Sequence, residues 1–230
     1  MSLVIAVDGT DASGKKTQSD ILAETLRIKY GLKVTEVSFP DYDDKSSTLV
    51  KMYLAGEFGN NANDTNAYAA SSFFAVDRYA SFVRHWKKEY ESDDSVIILN
   101  RYTTSNAVHQ LAKISDDTKK QEFLSWLYDY EFNKLGLPVP DLVYFLDMPP
   151  EYAEKLLNSR CDETGAVKDI HEADKQHLLC AYNAAQYTCK EWNWTHIMCV
   201  KDGEIRSRDN IANELLEICI DALKKKNILK

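Results

Sequence analysis

The chain opens on a short apolar run, residues 3–8, that lacks the alternation of a half-solvated strand and is too brief for a core helix. Glycines and small polar residues fill positions 9–14, and a helical period then runs from about Lys15 to Tyr30, with Leu22 and Leu26 on one face and Gly31 closing it. Residues 33–39 (Lys-Val-Thr-Glu-Val-Ser-Phe) alternate like a strand and stop at Pro40. Residues 41–48 read as loop and 49–56 as a short helix, and an Asn/Asp-rich loop at 59–66 feeds a long helix over about 67–90. A second apolar run at 95–99 is followed by helices near 103–113 and 117–135, and a third run at 141–146 is ended by Pro149 and Pro150. A helix over about 151–159, a polar segment at 160–170, a helix at 171–191, a strand at 196–200 and a helix at 207–226 complete the pattern. Five short strands alternating with helices predict an α/β fold, a five-stranded parallel sheet with helices on both faces.

Composition narrows the class. A length of 230 residues suits one α/β domain with a small mobile insertion. No apolar run approaches the roughly 20 residues that a bilayer requires, and the first residues lack a basic region and a cleavage site, so they are expected to form a strand, not a signal peptide. The five cysteines (Cys161, Cys180, Cys189, Cys199, Cys219) include no C-x-x-C pair, which argues against a disulfide framework or zinc and for reduced thiols in the cytoplasm. A net charge of −8 argues against nucleic acid or a membrane surface as partner. A small phosphorylated ligand remains open, provided a few cations converge on it.

The segment Gly9-Thr10-Asp11-Ala12-Ser13-Gly14-Lys15 has the spacing G-x-x-x-x-G-K between a strand and a helix. Glycines let the backbone curl so that successive N–H groups face phosphate oxygens, with the helix N-terminus behind them. Gly9, Ala12, Ser13, Gly14, Lys15, Lys16 and Thr17 are therefore the expected nucleotide contacts, with Lys15 reaching the β- and γ-phosphates. The hydroxyl that would hold Mg²⁺ directly after the lysine is absent: Lys16 stands there and Thr17 comes one place late, so no protein metal ligand is assigned.

Residues 9–18 (GTDASGKKTQ) resemble the phosphate loop of the thymidylate kinase family. The likeness continues through Phe39-Pro40, Phe74-x-x-x-Arg78, Arg101-Tyr102 with Ser105-Asn106, and LGLPVPDLV from Leu135 to Val143, covering most of residues 3–200. The resemblance implies a P-loop NTPase fold with strand order 2-3-1-4-5, ATP as donor with Mg²⁺ carried by the nucleotide, dTMP as acceptor, and a lid at about 160–172. It also implies a homodimer formed through helices such as 67–90. By the same resemblance Asp11 contacts the sugar 3′-hydroxyl, Phe39 and Pro40 border the acceptor, Phe74 stacks on the base and Arg78 meets a base carbonyl. Arg101 lies between donor and acceptor, Ser105 and Asn106 meet the thymine edge, and His109 takes the place of an aromatic residue that blocks a ribose 2′-hydroxyl. Because the loop carries Ala12 where some members place an arginine, Arg160, and after it Lys168, are the expected transition-state cations, beside Lys15 and Arg101.

Taken without the resemblance, the same residues have plainer readings: Asp11 as a turn residue, Phe74 and Arg78 as a core ring and a surface cation, Arg101 as the partner of an acidic neighbour. Three positions depart from the family pattern, namely Lys16, Asn100 in place of the acidic residue before Arg101, and Tyr42 in place of an acceptor-phosphate arginine. These departures keep two alternatives in view, a kinase for another nucleotide or nucleoside and a nucleotide-binding protein with little catalysis. Lys16 itself either neutralises phosphate charge near the metal's place or turns outward.

Overall fold

The computed structural model describes residues 2–59, 61, 63–164 and 175–229, the side chains of 158–164 and 175 excepted. The first apolar run is strand β1 (Leu3–Gly9), and every one of its residues is buried. β2 (Lys33–Ser38), β3 (Ser95–Asn100), β4 (Leu142–Asp147) and β5 (Thr195–Met198) join it in one sheet of order β2-β3-β1-β4-β5, and all four pairings are parallel. The expected order is therefore the observed one.

Alternation along β1 divides the core. Leu3, Ile5 and Val7 pack with Leu22 and Leu26 of α1 (Lys15–Tyr30) and with Leu215, Cys219 and Leu223 of the last helix, Arg208–Lys225. Val4 and Ala6 face the other way, toward Phe82, Trp86, Tyr102 and Phe132. Each fully buried Val, Leu or Ile contributes about 1.5–3 kcal/mol, so β1 is an anchored platform for the loop that follows it. The edge strand β2 holds Val34, Thr35 and Val37 half-buried and Lys33, Glu36 and Ser38 in solvent, so the strict alternation of its sequence is broken at Thr35; the two charges discourage edge-to-edge pairing.

Four features differ from the expected pattern. The helix expected over 67–90 is α3 (Ala67–Ser81), a π turn (Phe82–Trp86) and α4 (Lys87–Tyr90). That over 117–135 is α6 (Asp117–Tyr128) running into a second π turn (Asp129–Lys134). Side-chain periodicity cannot reveal a single inserted residue, because the apolar face continues on both sides of it. The strand expected at 196–200 ends at Met198, and a small antiparallel pair, β6 (Val200–Lys201) and β7 (Glu204–Ile205), leads into α9 (Arg208–Lys225). The helix expected over about 151–159 runs on to Thr164 as α7 (Pro150–Thr164), into the segment expected to be polar loop, whereas the helix expected at 171–191 is met by α8 (Lys175–Glu191) within the described residues.

Candidate active site

The carboxyl ends of β1, β3 and β4 converge, as the rule for ligand sites in open parallel sheets requires. The loop after β1 turns through Ala12 (φ 60°) and Gly14 (φ 86°), and Gly14 caps α1 without any side-chain cap. The first turn of α1 holds no acidic residue, so its N–H groups and dipole are left for an anion. Lys15 is buried and bends back over the loop, its Nζ donating to the carbonyls of Gly9 (3.0 Å) and Thr10 (2.6 Å). Its ammonium is thus held inside the curl that would cradle phosphates. Ser13 Oγ and Asn100 Oδ1 are buried atoms without a hydrogen-bond partner among the described residues. Both residues line the open cleft, about 1380 Å³, that also includes Gly14, Lys15, Lys16, Thr17 and Arg208.

Lys16 points away, 77% exposed, and pairs with Asp20 one helical turn on at 2.8 Å. Of its two readings, the outward one matches this placement. Asn100 donates its amide to Ser38 Oγ at 2.9 Å.

A second cleft, about 530 Å³, opens on the other side of Asp11. It brings together Asp11, Phe39, Pro40, Phe74, Arg78, Arg101, Ser105, Asn106 and His109, which is the whole set expected from the sequence for the acceptor. Tyr42 also borders it and is 53% exposed. Phe74 and Arg78 share a face of α3. The Phe74 ring stands edge-on to Tyr53 (6.1 Å, 87°), while Arg78 is only 1% exposed, so the plain reading of a surface arginine fails.

Asp11 and Arg101 line both clefts and are ion-paired through Arg101 Nη2 and Asp11 Oδ1. Burial alone would raise the Asp11 carboxyl, but the charges of Arg101, His109 and Lys15 outweigh it and hold the group well below the usual carboxylate range. Arg101 has φ 63°, and its N–H is anchored to the Val7 carbonyl at 3.1 Å. Its other branch lies 3.2 Å from His109 Nε2, and the His109 ring stacks on His177 of α8 (6.1 Å, 21°). The acidic-neighbour reading of Arg101 is therefore met by Asp11, a residue of the site itself.

Sequence reasoning missed three residues. Asp8, fully buried at the end of β1, accepts from Thr104 Oγ1 (2.5 Å), Ser105 Oγ (2.8 Å) and the Gly9 N–H (2.8 Å), tying the start of α5 (Thr103–His109) to the phosphate loop. The Ser105 hydroxyl gives its proton to Asp8, so toward the cleft it lines it has acceptor capacity to offer. Glu131, also fully buried, grips Arg78 from the second π turn. Gln110 lines the acceptor cleft at 1% exposure with its Oε1 unpartnered among the described residues. The signal for Asp8 was a charge closing an apolar run; Glu131 and Gln110 carried none. Arg160 lies in helix α7 (Pro150–Thr164), which takes in residues 160–164 of the expected lid, but its side chain, Lys168 and the rest of that lid, 165–172, fall outside the described residues. One further group of close ligand atoms among the described residues, Asp41, Asp44 and His85, contributes no lining to either cleft, and Asp44 there already takes Arg84 at 2.7 and 2.8 Å.

A phosphate cradle on one side of a shared cation and a ring-and-arginine cleft on the other define a P-loop nucleotide phosphotransferase, a kinase of small molecules. Comparison with known proteins agrees and narrows the class. The family model for thymidylate kinase matches residues 7–198. A thymidylate kinase of Mycobacterium tuberculosis is 30% identical over 76% of this chain and 79% of its own length. A probable thymidylate kinase of Saccharolobus solfataricus is 27% identical over 98% of both. A solved thymidylate kinase from Candida albicans shares the fold with a TM-score of 0.67 at 23% identity, covering 98% of this chain and 93% of that one. The chain belongs to the thymidylate kinase family.

Proposed function

We propose that this protein transfers the γ-phosphoryl of ATP to dTMP, giving ADP and dTDP. The observation that carries this reading is the position of Arg101, whose side chain borders the phosphate-loop cleft and the acceptor cleft at once. A phosphoryl group passing between ligands in the two clefts would cross the field of that fixed charge. Catalysis of this kind is mostly positioning and charge stabilisation. Lys15 and Arg101 spread over the transferring group in this proposal, with Arg160 carried over from the family as a third cation. Asp11, Phe74, Arg78 and Asn106 hold the acceptor. Mg²⁺ bound to the nucleotide would neutralise phosphate oxygens. Asn100 Oδ1, without a partner among the described residues, would fit as a neutral oxygen near its hydration shell, and the outward Lys16 would leave its inner ligands to phosphates and water.

The chain works, in this proposal, as one domain with a lid at about 160–172, and as a homodimer. Tyr68, Val76, Tyr79 and Val83 form an exposed apolar stripe along α3 and the π turn after it, at helical spacing, which supports pairing with a second copy. Cys180, Cys189, Cys199 and Cys219 are free thiols, which supports a reducing, cytoplasmic setting. No helix among the described residues is long and apolar enough to cross a membrane.

Coupled measurement of ADP release over dTMP, dUMP, dCMP, AMP and GMP tests the reading. The expected order is dTMP first, dUMP second and purines poor. Comparable rates with AMP or GMP would move the protein to another kinase class.

A further inference from the structure

We propose that Glu131 is a positioning residue that sets the hydrogen-bonding polarity of the acceptor cleft, so that the cleft reads a keto pyrimidine, thymine or uracil, and rejects cytosine. The inference rests on the dTMP reading above and explains how that same site would choose among pyrimidines.

Glu131 is fully buried and its two oxygens receive four hydrogen bonds. Oε2 accepts from Arg78 Nε (2.7 Å) and Thr103 Oγ1 (2.6 Å), and Oε1 accepts from Arg78 Nη2 (2.6 Å) and Asn106 Nδ2 (3.1 Å). A carboxylate has about four lone-pair sites, so none is left over. The consequence falls on Asn106. A side-chain amide can turn over without changing shape, exchanging donor for acceptor. Here Asn106 Nδ2 also donates to the Ser71 carbonyl at 3.2 Å, so turning over would set Oδ1 against two acceptors at once. The amide is held one way, and the carbonyl oxygen is the atom it has left for the cleft it lines.

Arg78 is fixed by the same carboxylate. Its Nε and Nη2 form the fork on Glu131 and Nη1 donates to the Tyr102 carbonyl at 3.3 Å, leaving only the remaining Nη hydrogens for a ligand. The cleft therefore offers a donor, Arg78, beside an acceptor, Asn106. The edge of thymine or uracil is complementary, since O4 accepts and N3–H donates. Cytosine is opposed at both atoms, because its amino group would face the guanidinium and its N3 lone pair would face Oδ1. Gln110 cannot supply this polarity, since none of the described residues holds its amide in one orientation.

Glu131→Gln is the direct test, because glutamine keeps the size but accepts at one terminal atom only. A folded E131Q enzyme should lose about thirtyfold in kcat/KM for dTMP, from a buried polar contact left unpaired. The loss should lie mainly in KM, and the preference for dTMP over dCMP should shrink by about tenfold or more. Glu131→Asp, which keeps the charge, should restore part of that preference. A folded E131Q enzyme that keeps the wild-type dTMP-to-dCMP ratio overturns the proposal and leaves the dTMP reading standing. Should both variants fail to fold, wild type decides: N3-methyl dTMP, which cannot donate, should bind at least about tenfold more weakly than dTMP, and equal binding overturns the proposal. A wild type that prefers a purine monophosphate ends the dTMP reading and this inference together.

Discussion

Gly9→Ala and Gly14→Ala are equivalent changes in the motif and unequal ones in the fold. Gly9 has φ 157°, and a Cβ there would lie 2.6 Å from the Leu146 carbonyl oxygen and 2.6 Å from Ser13 Oγ. The serine can turn away. The carbonyl cannot, because Gly9 is in register with Leu146 in the β1–β4 pairing, so the strands themselves must part. Overpacking costs about 1–3 kcal/mol and a backbone angle foreign to an L residue about 1–3 kcal/mol, about 4 kcal/mol together at mid-range. At Gly14 (φ 86°) the same added carbon would meet no heavy atom within 4 Å among the described residues beyond its local backbone and chain neighbours. Its alanine variant meets only the left-handed penalty, about 1.5 kcal/mol. For a chain of this size each kcal/mol moves the melting temperature by about 2–4 °C. Gly9→Ala should therefore melt about 8–16 °C below wild type and Gly14→Ala about 3–6 °C below, on the same conversion. Thermal scans followed by circular dichroism, with urea titration as a second measure, read the difference. Equal losses in the two variants, or a Gly9→Ala protein within about 3 °C of wild type, would show that the β4 edge yields and that the steric argument fails.

Lys15→Ala should leave a folded protein whose turnover falls by at least about a hundredfold, as removal of a transition-state donor does elsewhere; near-wild-type turnover would end the assignment of the phosphate loop. Asp11 is depressed in the fold, so its ionised form contributes stability that is complete above the unfolded value of about 3.9 and is lost as pH falls below it. The gap in melting temperature between wild type and Asp11→Asn should accordingly narrow between about pH 5 and pH 2, and a constant gap would contradict the pairing with Arg101. Lys16→Thr combined with Asn100→Asp should bind Mg·ATP somewhat better than wild type and turn over at least as fast. Titration of ATP with and without Mg²⁺ checks this, and a double variant indistinguishable from a strictly Mg²⁺-dependent wild type would show that neither position shapes the metal's surroundings.

What the sequence made legible was local or strongly patterned. The apolar runs located three of the sheet's five strands and alternation located β2, and the glycine spacing located the phosphate loop together with its flanking elements. Phe74 and Arg78 could be placed on one helix face from their separation alone. Their meeting with Asp11, Arg101 and Asn106 needed the family likeness, since those residues come from separate elements of the chain. Glu131 stayed invisible because its partner Arg78 is 53 positions away and a lone glutamate in a helical stretch reads as a solvated face. Asp8 and its partner Thr104 are 96 positions apart and share no pattern. Both π turns were hidden for a different reason: an added residue shifts the phase of a helix without interrupting its apolar stripe.

The second π turn has a consequence for inheritance. An α-helix advances about 100° per residue, and a π turn is one surplus residue accommodated within it. Removing a single codon from the stretch between Tyr128 and Glu131 would let the turn relax to an ordinary helix and swing Glu131 through that angle, away from Arg78 and Asn106. No base-reading residue would have been replaced, yet the grip on both would be gone. On the role proposed for Glu131, the choice of nucleobase would be written partly in the length of a helix, and a deletion would revise it as surely as a substitution.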